Sequence, residues 1–305
     1  MTLQEELGQG ALFDLSARAK LRVTGADCLR FLNGQISNDL RRAKDTVAIH
    51  ACVLNAKGKI NADVFIRADA ESFLIDAEPE LREPLAARLD RYIIADDVQV
   101  SDVTDEFALF HLIGDDSAVL PDLVQTVVAD RFAGGGGVDV WVTRERYELV
   151  LQQLSALLPL WDAERIDALR IARGIPRWGN ELSDEIIPNE ASLESRAIDY
   201  AKGCYIGQEV ISRMKMSGQT NKRLCGLVAL GDAPLRPGMR LSAATSDGKD
   251  VGWITSVTTT GQNGRQIALG FVKRGFNESG TRLLARSSAS GEETGAVEIV
   301  PLPFA

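Results

Sequence analysis

Apolar residues recur at two different periods along this chain, and the period changes with position. In the N-terminal third, strand-like runs alternate with helical spacing. "KLRV" (20–23) reads as a short strand. "TGAD" follows, with Thr24 as N-cap and Asp27 at the capping-box position. Leu29, Leu32 and Ile36 then mark the inner face of a helix. "TVAIHACVLN" (46–55) and "INADVFIRAD" (60–69) predict two strands joined by "AKGK", a hairpin turn with Gly58. "SFLID" (72–76) predicts a further strand, and Leu81, Leu85 and Leu89 predict a helix ending near "RYIIADDVQV".

The middle of the chain repeats the mixture. "EFALFHLIG", "VDVWVT" and "YELVLQ" read as strands. "AGGGGV" (133–138) is followed by a strand and lacks the Lys-Ser/Thr of a phosphate loop, so it reads as a connection. "DAERIDALRIARGIPRWG" (162–179) predicts a helix capped by Asp162, with Gly174 at its left-handed end and Pro176 as its stop. Beyond about residue 224 the long helical spacings disappear. "LCGLVAL", "VGWITSV", "QIALGFV" and "GAVEIV" are short strands between Gly, Pro, Asn and Ser turns. They predict a small β-barrel or sandwich over 224–305, after a mixed α+β region over 1–223.

Composition narrows the classes. The 305 residues carry a net charge of −9, with 45% hydrophobic and 25% charged residues. That balance fits a globular chain and argues against broad nucleic-acid or anionic-membrane binding. The first residues, "MTLQEELGQGALFDLS", have no apolar core of a signal peptide, and no run approaches the roughly 20 apolar residues of a membrane span. Cys28, Cys52, Cys204 and Cys225 form no C-x-x-C pair, so a reducing, cytoplasmic compartment is expected. The two histidines, His50 and His111, lie in strand-like runs and read as packed strand residues.

The densest chemistry is "DYAKGCYIGQEVISRMKMSGQTNKR". Lys202 precedes Cys204 by two positions, and an ammonium beside a thiol favours thiolate. Gly203 and Gly207 permit sharp turns and a surface course. Tyr205 offers a stacking face, Gln208 donates and accepts, and Glu209 accepts. Lys202, Arg213, Lys215, Lys222 and Arg223 make this stretch locally basic. On residue chemistry alone Cys204 is either a small buried hydrophobe or an exposed, activated thiol, and the basic cluster is either a solvated face or an anion contact.

"KGCYIGQE" (202–209) resembles the signature of the folate-binding YgfZ/GcvT-related family, whose eukaryotic members are mitochondrial iron–sulfur cluster assembly factors. "FLNGQISNDL", "LNAKGKINADVFI", "RYIIADDV", "LRIARGIPRWG", "IPNEASLE" and "ALGFVKR" resemble further family segments in the expected order. The resemblance implies interlocked mixed α/β subdomains around a central cavity, followed by a C-terminal β-barrel. It implies tetrahydrofolate as ligand, with contacts at Glu190, Asp63, Trp178 and Arg223. Glu190 is otherwise an exposed loop residue, Asp63 a structural strand-end residue and Trp178 a packing residue. Related aminomethyltransferases carry paired aspartates where this chain has Ala62-Asp63, which weighs against aminomethyl transfer. The implied function is an accessory role for iron–sulfur enzymes, including those modifying tRNA. Cys204 and Lys202 are its reactive residues, with a transient cluster at Cys204 and no stable metal site. The implied partners are folate and iron–sulfur enzymes or assembly proteins. The basic segment 213–223 also admits direct tRNA contact, and folate-dependent one-carbon transfer is the alternative activity.

Overall fold

The computed structural model describes residues 3–114, 125–132, 134, 136–244, 248–258, 264–287 and 293–304. The chain forms two compact units, residues 1–162 with 193–212, and residues 163–192 with 213–305.

In the first unit, α1 (Leu3–Leu7) leads into β1 (Ala11–Asp14) and β2 (Ala19–Thr24), then α2 (Cys28–Gln35). The hairpin β3 (Ile49–Leu54) and β4 (Ile60–Asp69) follows, then β5 (Ser72–Ala77), α3 (Arg82–Asp90) and β6 (Gln99–Asp102). β7 (Phe107–Ile113), β8 (Gln125–Val128), β9 (Val138–Thr143) and α4 (Tyr147–Ser155) complete the run. Two antiparallel sheets result, in the orders β3-β4-β5-β2-β6 and β1-β7-β9-β8. β7 is buried along almost its whole length because both of its faces are covered. Ala108, Phe110 and Leu112 pack with Val150, Leu154 and Leu158 of the α4 region, while Leu109 clusters with Leu74, Val127 and Trp141.

Three local expectations are corrected. "YELVLQ" belongs to α4, not to a strand. Its alternation is overridden by Val150 and Leu154, four residues apart and both buried. Thr24 ends β2 and does not cap α2; Asp27 is the N-cap, and its Oδ2 accepts from the Asp97 backbone N–H at 2.9 Å. Leu29 is exposed, and Ile36 is buried beyond the helix end in extended backbone. The inner face of α2 is formed by Cys28, Phe31, Leu32 and Gln35. The glycine-rich connection lies partly outside the described residues, and β9 begins at Val138 after it.

In the second unit, α5 (Ala163–Ala172) ends at Gly174, whose φ is +69°. α6 (Gln208–Ser217) runs across the division between the units. β10 (Lys222–Ala229), β11 (Arg240–Ala243), β12 (Asp250–Thr258), β13 (Ile267–Lys273), β14 (Arg282–Arg286) and β15 (Glu293–Val300) close into a barrel, ordered β10-β13-β12-β11-β14-β15. Leu227, Leu241, Ile254, Val272, Leu283 and Val297 fill it. Closure removes the exposed edges that such short strands would present.

Candidate functional site

The signature loop of the first unit is seated on the end of α2. The last carbonyls of a helix have no intrahelical donors. Here Lys202, only 6% exposed, supplies them: its Nζ donates to Asn33 O at 2.6 Å and Ile36 O at 2.7 Å. The Ile206 N–H donates to Gly34 O at 3.2 Å, and the Asp199 N–H to Ser37 O at 3.0 Å. Ser37 Oγ donates to Ala197 O and accepts from the Cys52 N–H, at 2.6 and 2.9 Å. Burial draws the Lys202 amine down to about 8, against the attraction of Asp39 and Asp199. Lys202 Nζ also lies 5.0 Å from the Tyr205 ring centroid, and burial pushes that phenol well up. Between these two buried anchors Cys204 is exposed, whereas Cys28, Cys52 and Cys225 are buried.

The loop then packs on the β3–β4 hairpin. Gly207 has φ +86°, and a Cβ there would meet Asn55 O at 2.7 Å and Gly58 Cα at 3.2 Å. Gly58 has φ +72°, and a Cβ there would meet Val210 Cβ at 2.9 Å. Both glycines are demanded by left-handed backbone and by close approach. Gln208 opens α6 half-buried, and Glu209 follows exposed.

Farther along the same hairpin stands Asp63, whose Oδ1 lies 2.5 Å from His50 Nε2. Ala62 is completely buried on the other face of β4, so a carboxylate there would be buried too. On the Asp63 face lies Cys52, whose thiol burial pushes well up. Among the described residues no three His, Cys, Asp or Glu side chains are grouped to hold a metal ion.

The second unit carries Glu190, Trp178 and Arg223. Glu190 is buried in a short 3-10 turn, Pro188–Ala191, and not exposed. Its Oε2 accepts from the Ile187 N–H at 3.2 Å and faces Lys222 Nζ at 3.6 Å. Lys222 Nζ in turn lies 5.4 Å from the Trp253 ring centroid and 5.6 Å from that of Phe271. A buried carboxylate, a cation and aromatic faces fit a planar heterocycle with a hydrogen-bonding edge. Trp178 is half-buried and bridges to Leu182, and Arg223 is exposed on β10. Nearby in sequence, Arg170 binds Glu181 Oε2 at 3.0 Å and Ser256 Oγ at 2.7 Å, joining α5 to the barrel strand β12. Within the first unit, then, the signature and the Asp63 hairpin are one packed assembly; within the second, Glu190 meets Lys222. Sequence reasoning missed His50 and the Lys222–Trp253 pair. The hairpin register held a signal for His50, since it pairs His50 with Phe65 and Cys52 with Asp63.

Residues 7–133 match the GCVT N-terminal domain, and residues 222–305 match the glycine cleavage T-protein C-terminal barrel domain. The chain belongs to the glycine cleavage T-protein family. It is 27% identical over 70% of its length to a mitochondrial iron-sulfur cluster assembly factor IBA57 homolog of Dictyostelium discoideum, of which it spans 61%. It is 30% identical over 91% of its length to a putative chloroplastic transferase of Arabidopsis thaliana, of which it spans 68%. An aminomethyltransferase of Rubrobacter xylanophilus is 28% identical, covering 97% of this chain and 83% of the relative. The fold is that of the glycine cleavage system aminomethyltransferase T from Bartonella henselae. That match has a TM-score of 0.83 and 20% identity, over 99% of this chain and 89% of the other. No described helix is long and apolar enough to cross a membrane.

Proposed function

We propose that this protein is a tetrahydrofolate-binding accessory factor for the assembly or repair of iron–sulfur enzymes, including those that modify tRNA, with Cys204 as its working thiol. The observation that carries the reading is the exposure of Cys204 between the buried anchors Lys202 and Tyr205, while the other three cysteines are buried. A single thiol does not complete the usual ligation of a cluster, so any cluster is cargo whose other ligands come from a partner. The relationship to an iron–sulfur cluster assembly factor supports this reading. In the second unit Glu190, with Lys222 beside it, is the residue assigned to the pteridine edge; Trp178 and Arg223 are further folate candidates. In the first unit Asp63 is the assigned carboxylate. Bound tetrahydrofolate would supply one-carbon chemistry; these residues would bind and orient it.

The expected outcome is a division of labour. Cys204→Ala abolishes activation of dependent iron–sulfur enzymes in cells while folding and tetrahydrofolate affinity stay unchanged. Glu190→Ala weakens tetrahydrofolate binding in a fluorescence titration. Full client activity with Cys204→Ala would defeat the thiol reading. A second reading, one-carbon transfer from folate, is favoured by the retained Asp63 and by the aminomethyltransferase relatives. It requires product formation when purified protein is given a tetrahydrofolate derivative and an amine donor.

A further inference from the structure

β3 and β4 pair with His50 opposite Phe65 and Cys52 opposite Asp63. Alternation along the strands puts these four side chains on one face of the sheet. The imidazole stacks on Phe65, with centroids 4.6 Å apart and planes 4° from parallel, so its orientation is set by packing. Nε2 meets Asp63 Oδ1 at 2.5 Å, while Nδ1 is buried with no hydrogen-bond partner among the described residues. An ionised carboxylate only accepts, so the neutral imidazole carries its proton on Nε2. A proton on Nδ1 would bury an N–H with nothing to receive it.

His111 has the reverse arrangement. Its Nδ1 meets Asp139 Oδ1 at 2.8 Å, and its Nε2 is buried without a partner among the described residues. The two carboxylates differ in setting. Asp139 is 1% exposed and doubly bonded by Arg131, which makes it part of the buried frame. Asp63 is 17% exposed; among the described residues its side chain meets the imidazole behind it, and the Arg196 guanidinium acts on its charge without hydrogen-bonding to it.

We propose that His50 is a positioning residue for Asp63: it donates Nε2–H to Oδ1, fixes the carboxylate's rotamer, and leaves Oδ2 to accept from an N–H donor on a ligand. The ligand class is a reduced pterin or its amine-bearing one-carbon adduct, and this part of the inference rests on the folate reading above. The arrangement inverts the familiar pairing in which a carboxylate orients a histidine. It places one polar group on an adjacent strand, in a region where Ala62 contributes none.

The chain has two histidines, so nitrogen-15 histidine labelling of the intact protein yields two imidazoles. The expected spectrum shows His50 protonated on Nε2 and His111 protonated on Nδ1, with His50→Gln assigning the signals. Asp63→Asn shifts the His50 nitrogens and leaves those of His111 in place. The second arm titrates 5-formyltetrahydrofolate into wild type, His50→Gln, His50→Leu and Asp63→Asn, each checked for folding by circular dichroism. Glutamine keeps an N–H donor and holds affinity within about twofold; leucine and Asp63→Asn weaken it by about tenfold or more, as for a charged hydrogen bond. His50 protonated on Nδ1, or His50→Leu binding like wild type, overturns the positioning role. Wild type that fails to bind overturns the folate reading and the ligand class assigned here, while the labelling result still decides the pair.

Discussion

The ammonium of Lys202 is directed at Asn33 and Ile36, so its proximity to Cys204 in sequence translates into placement of the loop. The thiol is held out by residues on either side that are held in. Lys202→Met should lower stability by about 1–3 kcal/mol at neutral pH through the carbonyls it leaves unmet. Its pH dependence has a definite sign. The folded amine releases its proton near 8, against an ordinary 10.5. Between those values the unfolded chain binds more protons, so this group's contribution to stability rises with pH across that window. The stability gap between wild type and Lys202→Met should therefore widen from pH 8 to 10 in urea unfolding. A gap that narrows would contradict the lowering of the folded amine by burial.

At the scale of elements, the β3–β4 turn and the start of α6 approach so closely that each needs a glycine. Asn55 shapes this turn: its Oδ1 accepts from the Lys57 and Lys59 N–H groups at 2.9 and 3.1 Å. Through Gly58 and Gly207 the hairpin that carries Asp63 supports the loop that carries Cys204. Gly207→Ala combines left-handed backbone with a Cβ placed 2.7 Å from a carbonyl oxygen. It should cost more than about 1 kcal/mol and reduce Cys204-dependent function beyond its effect on folding. Gly179→Ala, with φ +83° but open space around it, is the matched control. Equal losses in thermal melts and client assays for the two variants would show that packing against the hairpin is unimportant.

At the scale of the whole molecule, the first unit's two sheets are joined by charge as well as by apolar packing. Arg131 binds Asp76 at 3.0 and 2.7 Å and Asp139 at 2.8 and 2.6 Å, one carboxylate from each sheet. Arg18 adds a further bond to Asp76 at 2.5 Å. Burial alone would push the Asp76 carboxyl up; the two guanidinium groups outweigh it and hold it at about 2. Its contribution to stability is thus present above the ordinary 3.8 and lost as pH falls through 2. Arg131→Met removes the guanidinium shared by two buried carboxylates, leaving Asp76 to Arg18 and Asp139 to His111, and should cost about 3–5 kcal/mol. Acid titration of the variant should show unfolding at higher pH than wild type; an unchanged acid midpoint would contradict the network.

The legible part of this protein was local. Short apolar runs bounded by turn residues marked the β3–β4 hairpin, β7, β9 and the barrel strands β10, β12, β13 and β15, whereas the short strands β11 and β14 carried no such run. The spacing of Leu81, Leu85 and Leu89 determined α3, and all three are buried. The glycines of 202–209 marked a turn-rich surface loop, while residue chemistry left Cys204 either buried or exposed, and the tertiary structure exposes it. Tertiary structure decided the rest. "YELVLQ" satisfies both periods, and only the neighbouring sheet face selects helix. The ammonium of Lys202 had many sequence-distant acceptors, and the α2 terminus claimed it. His50 became the partner of Asp63 through strand register, a property of two segments together that neither expresses alone.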